Sequence, residues 1–345
     1  MKYKLLAIVY PKIGGCQYYR QIHPHEGFKK YDDFEIIFKN GFEFIPIEEF
    51  LKYNLVIFHK NFVTPEILKK LKVLGVKTMV DFDDFWYLPY NHLSYRHYKK
   101  NNQPQRFIQI LRQADYVSTT TKLLAQEIKK YNMNVFVFPN AISKENTYAY
   151  PIEIPSPCIR FGYVGGACHL PDVELLRGLN NKLNNSGLEY SLNLFGYKEE
   201  GAYFDYAKIL TSNGAFSKNL TLYPSLPVPD YLTFYNLFDV SLVPLVANKF
   251  NSMKSELKLV EAAMFNLPVI VSNVFPYKPY LKHKKNCLVA ECKNDWFKSV
   301  RYLVKNPEAI TQYGKQLNDD IIKHFNYELI SDYRAQVYKE IIQRG

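Results

Sequence analysis

The sequence has little cysteine and no long apolar run, and each shortage narrows what the chain can be. Its five cysteines, Cys16, Cys158, Cys168, Cys287 and Cys292, contain no CxxC pair. From an odd set without a CxxC pair neither a disulfide framework nor a zinc site follows, and reduced thiols are the simplest account. No stretch approaches ~18 consecutive apolar residues, the length that reads as a transmembrane helix. The apolar start KYKLLAIVY is cut by Pro11 and Lys12, too early to serve as the core of a signal peptide. A cytoplasmic protein is expected, with peripheral contact at the inner membrane face left open. Internal repeats and low-complexity tracts are lacking as well. Acidic residues are outnumbered: 44 Lys and Arg against 33 Asp and Glu give a net charge of +11. Such a surface attracts phosphorylated metabolites, anionic lipid or nucleic acid. The densest clusters, Arg96 to Lys100 and Lys282 to Lys285, are short and read as solvated loops. Tyrosine (29) and phenylalanine (24) are numerous, but with Asn and Lys also abundant this looks like coding bias and carries no functional weight.

At 345 residues the chain has room for two cores. Apolar runs at Tyr3 to Val9, Phe34 to Phe38, Leu55 to Phe58, Lys77 to Val80, Tyr116 to Ser118 and Val135 to Phe138 alternate with amphipathic stretches such as Pro65 to Leu74 and Lys122 to Tyr131. Continuous apolar strands separated by helices predict a parallel sheet covered on both faces. Tyr148 to Cys158, with three prolines, reads as a linker. The alternation then restarts with strands at Arg160 to Val164, Tyr190 to Phe195, Leu220 to Tyr223 and Val240 to Val243, and helices at Asp172 to Leu183, Phe204 to Leu210 and Asp230 to Leu237. The prediction is an α/β chain of two Rossmann-like doubly wound domains, 1–150 and 151–325. A closing amphipathic helix (326–345) has Ile330, Tyr333, Val337, Tyr338 and Ile341 at helical spacing.

Ligands of such sheets bind beyond the carboxyl ends of the strands. The most telling segment there is Asn251 to Ser272 (NSMKSELKLVEAAMFNLPVIVS). Ser255 is a plausible N-cap, Asn266 can take the left-handed position that ends a helix, and Val269 to Val271 form a buried strand. Lys254 and Lys258 sit at the positive end of the helix dipole, where a cation is unfavourable unless an anion is present. That placement asks for a phosphate, and Glu261, sharing a face with Lys258, could accept from a sugar or ribose hydroxyl. Gly165-Gly166 after one strand, with His169 following, and Gly14-Gly15 after another, with Arg20 following, offer close backbone approach and polar donors. Asp81, Asp83 and Asp84 fall within four positions after a strand, and such clusters hold a cation, position hydroxyls or supply a base. His23 and His25 lack further ligands, so no metal is expected.

The order and spacing of IGGCQYYR, VDFDDFWYLP, ADYVSTTTKLLAQEI with VFVFPNAI, FGYVGGACHLPDVELL and KSELKLVEAAMFNLPVIVS resemble retaining, nucleotide-sugar-dependent glycosyltransferases of the GT-B fold, the group 1 or family 4 type, across nearly the whole chain. The resemblance implies that the second domain holds a nucleotide-diphosphate sugar, a UDP- or GDP-sugar, as substrate rather than a tightly bound cofactor. Lys254 or Lys258 would meet the diphosphate, Glu261 the ribose, and Gly165, Gly166 and His169 the phosphates or sugar. Gly14, Gly15 and Arg20 would approach from the first domain, the closing helix would cross back to that domain, and Asp83 or Asp84 would act beside the transferred sugar. The hydroxyl-bearing acceptor would be a glycan or lipid-linked glycan, in cell-surface polysaccharide or glycoconjugate synthesis. Two departures stand out: the first of two family glutamates is Met253 here, and Cys168 and His169 replace a basic pair. Transfer to modified DNA, a nucleotide-sugar epimerase and a basic nucleic-acid-binding protein are the competing readings.

Overall fold

The structure, a computed structural model, describes residues 2–10, 14–143, 151–197, 202–211, 219–228 and 230–344. Two six-stranded sheets organise it. The first contains β1 (Tyr3–Val9), β2 (Phe34–Asn40), β3 (Leu55–His59), β4 (Thr78–Phe82), β5 (Tyr116–Thr119) and β6 (Val135–Val137) in the order β2-β1-β3-β4-β5-β6. The second contains β7 (Ile159–Val164), β8 (Tyr190–Tyr197), β9 (Leu220–Pro224), β10 (Val240–Val243), β11 (Val269–Ser272) and β12 (Cys287–Ala290) in the order β12-β11-β10-β7-β8-β9. Adjacent strands pair in parallel throughout, as in β1 with β3 and β10 with β11. The fully buried runs LVIFH of β3 and VIVS of β11 are what a sheet covered on both faces requires.

The helix Tyr327–Gln343 returns to the first lobe, where Val337, Tyr338 and Ile341 join Leu5, Leu55, Ile57 and Met79 in one core. The lobes also exchange side chains. Tyr18 and Tyr19 of the first lobe pack in a core built from the second, and Phe250 and Met253 of the second pack in the core of the first. Apolar burial of this kind fixes the lobes against one another and leaves a cleft above the strand ends.

Local structure departs from the sequence reading in places with identifiable causes. The expected helix Asp172 to Leu183 is broken at Gly178, whose φ of 71° stops one helical piece before Leu179–Asn184 begins. Asp230–Asn236 is 3-10 rather than α-helical. β12 and the helices Lys293–Lys305 and Glu308–Ile322 complete the second lobe without having been anticipated. Of the linker, Tyr148 to Tyr150 lie outside the described residues, and 151–158 run without regular secondary structure.

Candidate functional site

The helix Leu257–Met264 begins at the cleft, and its surroundings decide what the site can hold. Ser255 is not its N-cap. The Ser255 hydroxyl accepts from Asn140 Nδ2 at 2.9 Å across the lobes, and Glu256 takes the cap position without a side-chain cap bond. Asn266 ends the helix at φ 55°, as expected for a residue that tolerates the left-handed region. Ser255, Leu257 and Lys258 at this helix start, with Lys254 just before it, border a cavity of ≈ 530 Å³ between the lobes. That volume lies within the range of ligand sites, roughly 300–1,000 Å³.

Glu261 is fully buried and its carboxylate is crowded. Oε1 accepts from the Tyr231 hydroxyl, while Oε2 accepts from the Tyr235 hydroxyl at 2.5 Å and from Lys258 Nζ at 2.7 Å. Because Tyr231 donates to Glu261, the 2.6 Å contact between the Tyr19 and Tyr231 hydroxyls has Tyr19 as donor. A ribose hydroxyl therefore meets Glu261 only beside or in place of the Tyr231 hydroxyl, an arrangement more closed than the sequence suggested. Burial and the Glu261 charge hold Tyr19, Tyr231 and Tyr235 well above the ordinary phenol pKa, so all three remain donors.

On the facing lobe each aspartate has its own cation. Arg20, 1 % exposed, grips Asp81 through Nε at 3.0 Å and Nη2 at 2.7 Å, and its Nη1 donates to the Phe138 carbonyl at 2.6 Å and Asn140 Oδ1 at 2.9 Å. The fork expected for a ligand phosphate is thus engaged by protein, although Arg20 lies along the cleft. Asp83 accepts from Lys60 Nζ at 2.6 Å, with His59 Nε2 at 3.3 Å. Burial alone would raise the Asp83 pKa, but Lys60 and His59 hold it well below the usual carboxylate range. An aspartate held so firmly ionised is a poor general base. Asp84 lies 3.8 Å from Lys254 of the other lobe, an ion pair across the cleft. Holding a cation is one of the three roles the sequence leaves open for this cluster, beside positioning hydroxyls and supplying a base; Lys60 and His59, at the end of β3, are not found from sequence because nothing in their own segment marks them.

The loop after β7 supplies the opposite wall. A methyl on Gly165 would lie 2.3 Å from the Tyr163 hydroxyl, so packing itself demands glycine. At Gly166, Gly14 and Gly15 such a methyl meets no atom within 4 Å. Gly15, Gly165 and Gly166 border the cavity, and the Gly166 carbonyl accepts from the Tyr206 hydroxyl at 2.8 Å. His169 Nδ1 contacts Asp172 Oδ2 at 2.8 Å. Burial would lower the His169 pKa, but Asp172 and Cys168 raise it above its ordinary value, favouring a cation suited to phosphate. Burial would likewise raise the Cys168 thiol, yet hydrogen bonds with His169 and His92 and the charge of Lys254 bring it down to about 5.

Met253, at the position of the first family glutamate, is 2 % exposed inside the first lobe's core, and its carbonyl accepts from Thr121 Oγ1 at 3.3 Å. A carboxylate there would be buried among apolar side chains. His23 and His25 are buried core residues: His25 Nδ1 donates to the Gln21 carbonyl at 2.5 Å and Nε2 accepts from the Tyr338 hydroxyl at 3.0 Å. Among the described residues no group of three or more His, Cys, Asp and Glu is disposed to hold a metal ion.

The model of a protein family described as glycosyl transferase-like matches residues 176–333 of the chain. Among curated proteins, none matches the chain in sequence. In structure the chain is similar to a sucrose-phosphate synthase from Thermosynechococcus elongatus, with a TM-score of 0.78, 14% identity and 100% of each chain covered. It is similar to a glycosyltransferase from Rickettsia africae ESF-5, with a TM-score of 0.70, 14% identity and 100% of each chain covered. A third similar structure is Anabaena HepE in complex with UDP-glucose, with a TM-score of 0.70, 11% identity, 99% of this chain and 100% of that chain covered. The shared fold is the GT-B arrangement of two facing Rossmann-like lobes.

Proposed function

We propose that this protein is a glycosyltransferase that moves a sugar from a nucleotide-diphosphate sugar to an acceptor hydroxyl, with retention at the anomeric carbon. The observation that carries the proposal is the approach of Lys254 and Lys258 to a cleft that opens on the start of the helix Leu257–Met264. Lys258 is paired with Glu261 and Lys254 with Asp84, and a diphosphate lying between the two lysines would give each a further anionic partner at a helix start that favours negative charge. The family match over 176–333 and the likeness to a fold that binds UDP-glucose in HepE support this reading. The donor would be a UDP- or GDP-sugar, and the transferred group a hexose. The acceptor would be a glycan or lipid-linked glycan of cell-surface synthesis, acted on in the cytoplasm.

In the proposed step the bond between the anomeric carbon and the diphosphate oxygen breaks as the acceptor oxygen bonds to the same face of that carbon. Negative charge grows on the departing phosphate, where Lys254, Lys258, His169 and the helix start stabilise it. The acceptor proton passes to a phosphate oxygen, because Asp83 is too acidic to take it. Asp84, beside Lys254, orients the acceptor hydroxyl. Glu261 positions Lys258 through the 2.7 Å bond, and the Tyr231 hydroxyl is the group a ribose would meet. A thermal-shift panel of UDP-, GDP-, ADP-, CDP- and dTDP-sugars tests the reading, since a ligand at a hundred times its Kd raises stability by about 2.7 kcal/mol. One nucleotide should stand out, and with donor alone the product should be slow hydrolysis. An isomeric nucleotide sugar would replace the transferase with an epimerase, and no shift with any donor would end the proposal.

A further inference from the structure

The segment from Phe85 to Ala114 contains no acidic residue while carrying Arg96, Lys99, Lys100, Arg106 and Arg112. Phe85 and Trp86 are buried in the first lobe's core, so the loop that follows β4 has a fixed base. Backbone bonds from His92 N–H to the Pro89 carbonyl at 3.0 Å and from Tyr95 N–H to the His92 carbonyl at 2.9 Å keep it compact. Its tip nevertheless exposes Tyr90 and Leu93, at 83% and 70%. The helix Tyr95–Lys100 comes next and has no buried residue. Tyr98 leans on the Phe107 ring at 6.0 Å, and Arg96, His97, Lys99 and Lys100 are all exposed. Arg106 and Arg112 have partners, in the Val63 carbonyl at 3.0 Å and the Tyr131 ring at 5.6 Å. Among the described residues no carboxylate pairs with Arg96, Lys99 or Lys100.

The exposed tyrosine and leucine of the tip directly precede the exposed cations in the chain, so apolar and basic groups fall together in one short segment. Nucleic acid would neutralise the cations yet gain little from the leucine. An anionic bilayer takes both: lysine and arginine meet the head groups, tyrosine sits at the interface, and leucine enters the acyl boundary. We propose that Tyr90, Leu93 and the basic helix Tyr95–Lys100 dock this protein on the surface of an anionic lipid bilayer. Pro89, Asn91 and His92 line a recess together with Cys168, His169 and Lys254, so the docked membrane lies beside the mouth of the cleft. Resting on the transferase reading, this assigns the acceptor to the class of hydroxyl-bearing head groups carried on a lipid.

Cosedimentation of the full chain with vesicles tests it, comparing phosphatidylcholine alone with phosphatidylcholine mixed with phosphatidylglycerol. Binding should require the anionic lipid and fall as salt rises. The double variant Lys99→Gln/Lys100→Gln should bind roughly thirtyfold more weakly, at about 1 kcal/mol for each cation. Leu93→Asp should lose roughly tenfold or more. Both variants should keep the thermal shift of wild type with its nucleotide sugar. Equal binding of wild type and variants, equal binding to both vesicles, or salt-sensitive binding to duplex DNA in place of vesicles would overturn the inference. So would a self-associated species in sedimentation that dissociates on Leu93→Asp, because the patch would then be a subunit interface. If no nucleotide sugar shifts the protein but vesicle binding behaves as stated, the transferase reading fails and the docking surface stands.

Discussion

The thiol of Cys168 is the side chain whose state the surroundings change most usefully. Held down to about 5 by His169, His92 and Lys254 against the opposing effect of burial, it is a thiolate at neutral pH and should react with iodoacetamide at pH 6.5, where an ordinary cysteine is nearly all thiol. Nucleotide sugar should slow that reaction by occupying the cleft, and mass spectrometry of the labelled peptide would read both effects. Labelling of Cys168 only above pH 8, or no protection by any donor, would count against the site. The two glycines of the following loop should behave differently from each other. Gly165→Ala meets the Tyr163 ring and should destabilise by about 1–3 kcal/mol, whereas Gly166→Ala has room in the protein and should weaken nucleotide binding with little loss of stability. Denaturant melts and titration of both variants would separate these outcomes. At this scale the sequence was only half legible. Asp81, Asp83 and Asp84 announce a need for positive charge, but Arg20, Lys60 and Lys254 answer it from three distant segments, and no local spacing could assign the pairs.

Among the elements, the helix Leu257–Met264 and its preceding turn combine two opposed demands. Helix, left-handed Asn266 and strand β11 follow from residue types alone, because apolar spacing, an αL-tolerant residue and Pro268 each act locally. The cap does not, since the Ser255 hydroxyl has a better partner in Asn140 of the other lobe. Glu256 stands there instead, and burial pushes its carboxyl from 4.5 to about 7. A carboxyl with a raised folded-state pKa stabilises the fold most fully when protonated, below the unfolded value, and loses that contribution as pH rises through the folded one. Glu256→Gln should therefore gain stability relative to wild type between pH 4.5 and 8, by up to about 3 kcal/mol. Urea melts across that range would show the two curves diverging with pH; parallel curves would mean that Glu256 is solvated or paired.

For the whole molecule, the alternation of apolar runs and helical patterns is enough to give two doubly wound lobes and an amphipathic last helix, because the rules for parallel sheets depend on pattern rather than on contact detail; the return of that helix to the first lobe comes from the family resemblance and not from its periodicity. What pattern could not convey is how the lobes meet. Met253 and Phe250 cross into the first lobe while Tyr18 and Tyr19 cross into the second, and apolar residues at such positions look like any other core residue in sequence. Met253→Ala should cost about 2–5 kcal/mol by leaving a cavity, and, if the crossing residues set the lobe arrangement, should also weaken nucleotide-sugar binding; Met253→Leu should restore both. Calorimetric melts and titrations of the pair would detect a purely local defect as a stability loss with unchanged affinity.

The proposed chemistry requires a diphosphate held where the helix Leu257–Met264 begins. Isothermal titration of wild type, Lys254→Ala and Lys258→Ala with the nucleotide diphosphate that shifts the protein most tests this directly. Charge-assisted hydrogen bonds contribute about 1.5–3 kcal/mol each, so each variant should bind at least roughly tenfold more weakly at unchanged fold. Equal affinity for all three proteins, or no heat of binding with wild type, would contradict it.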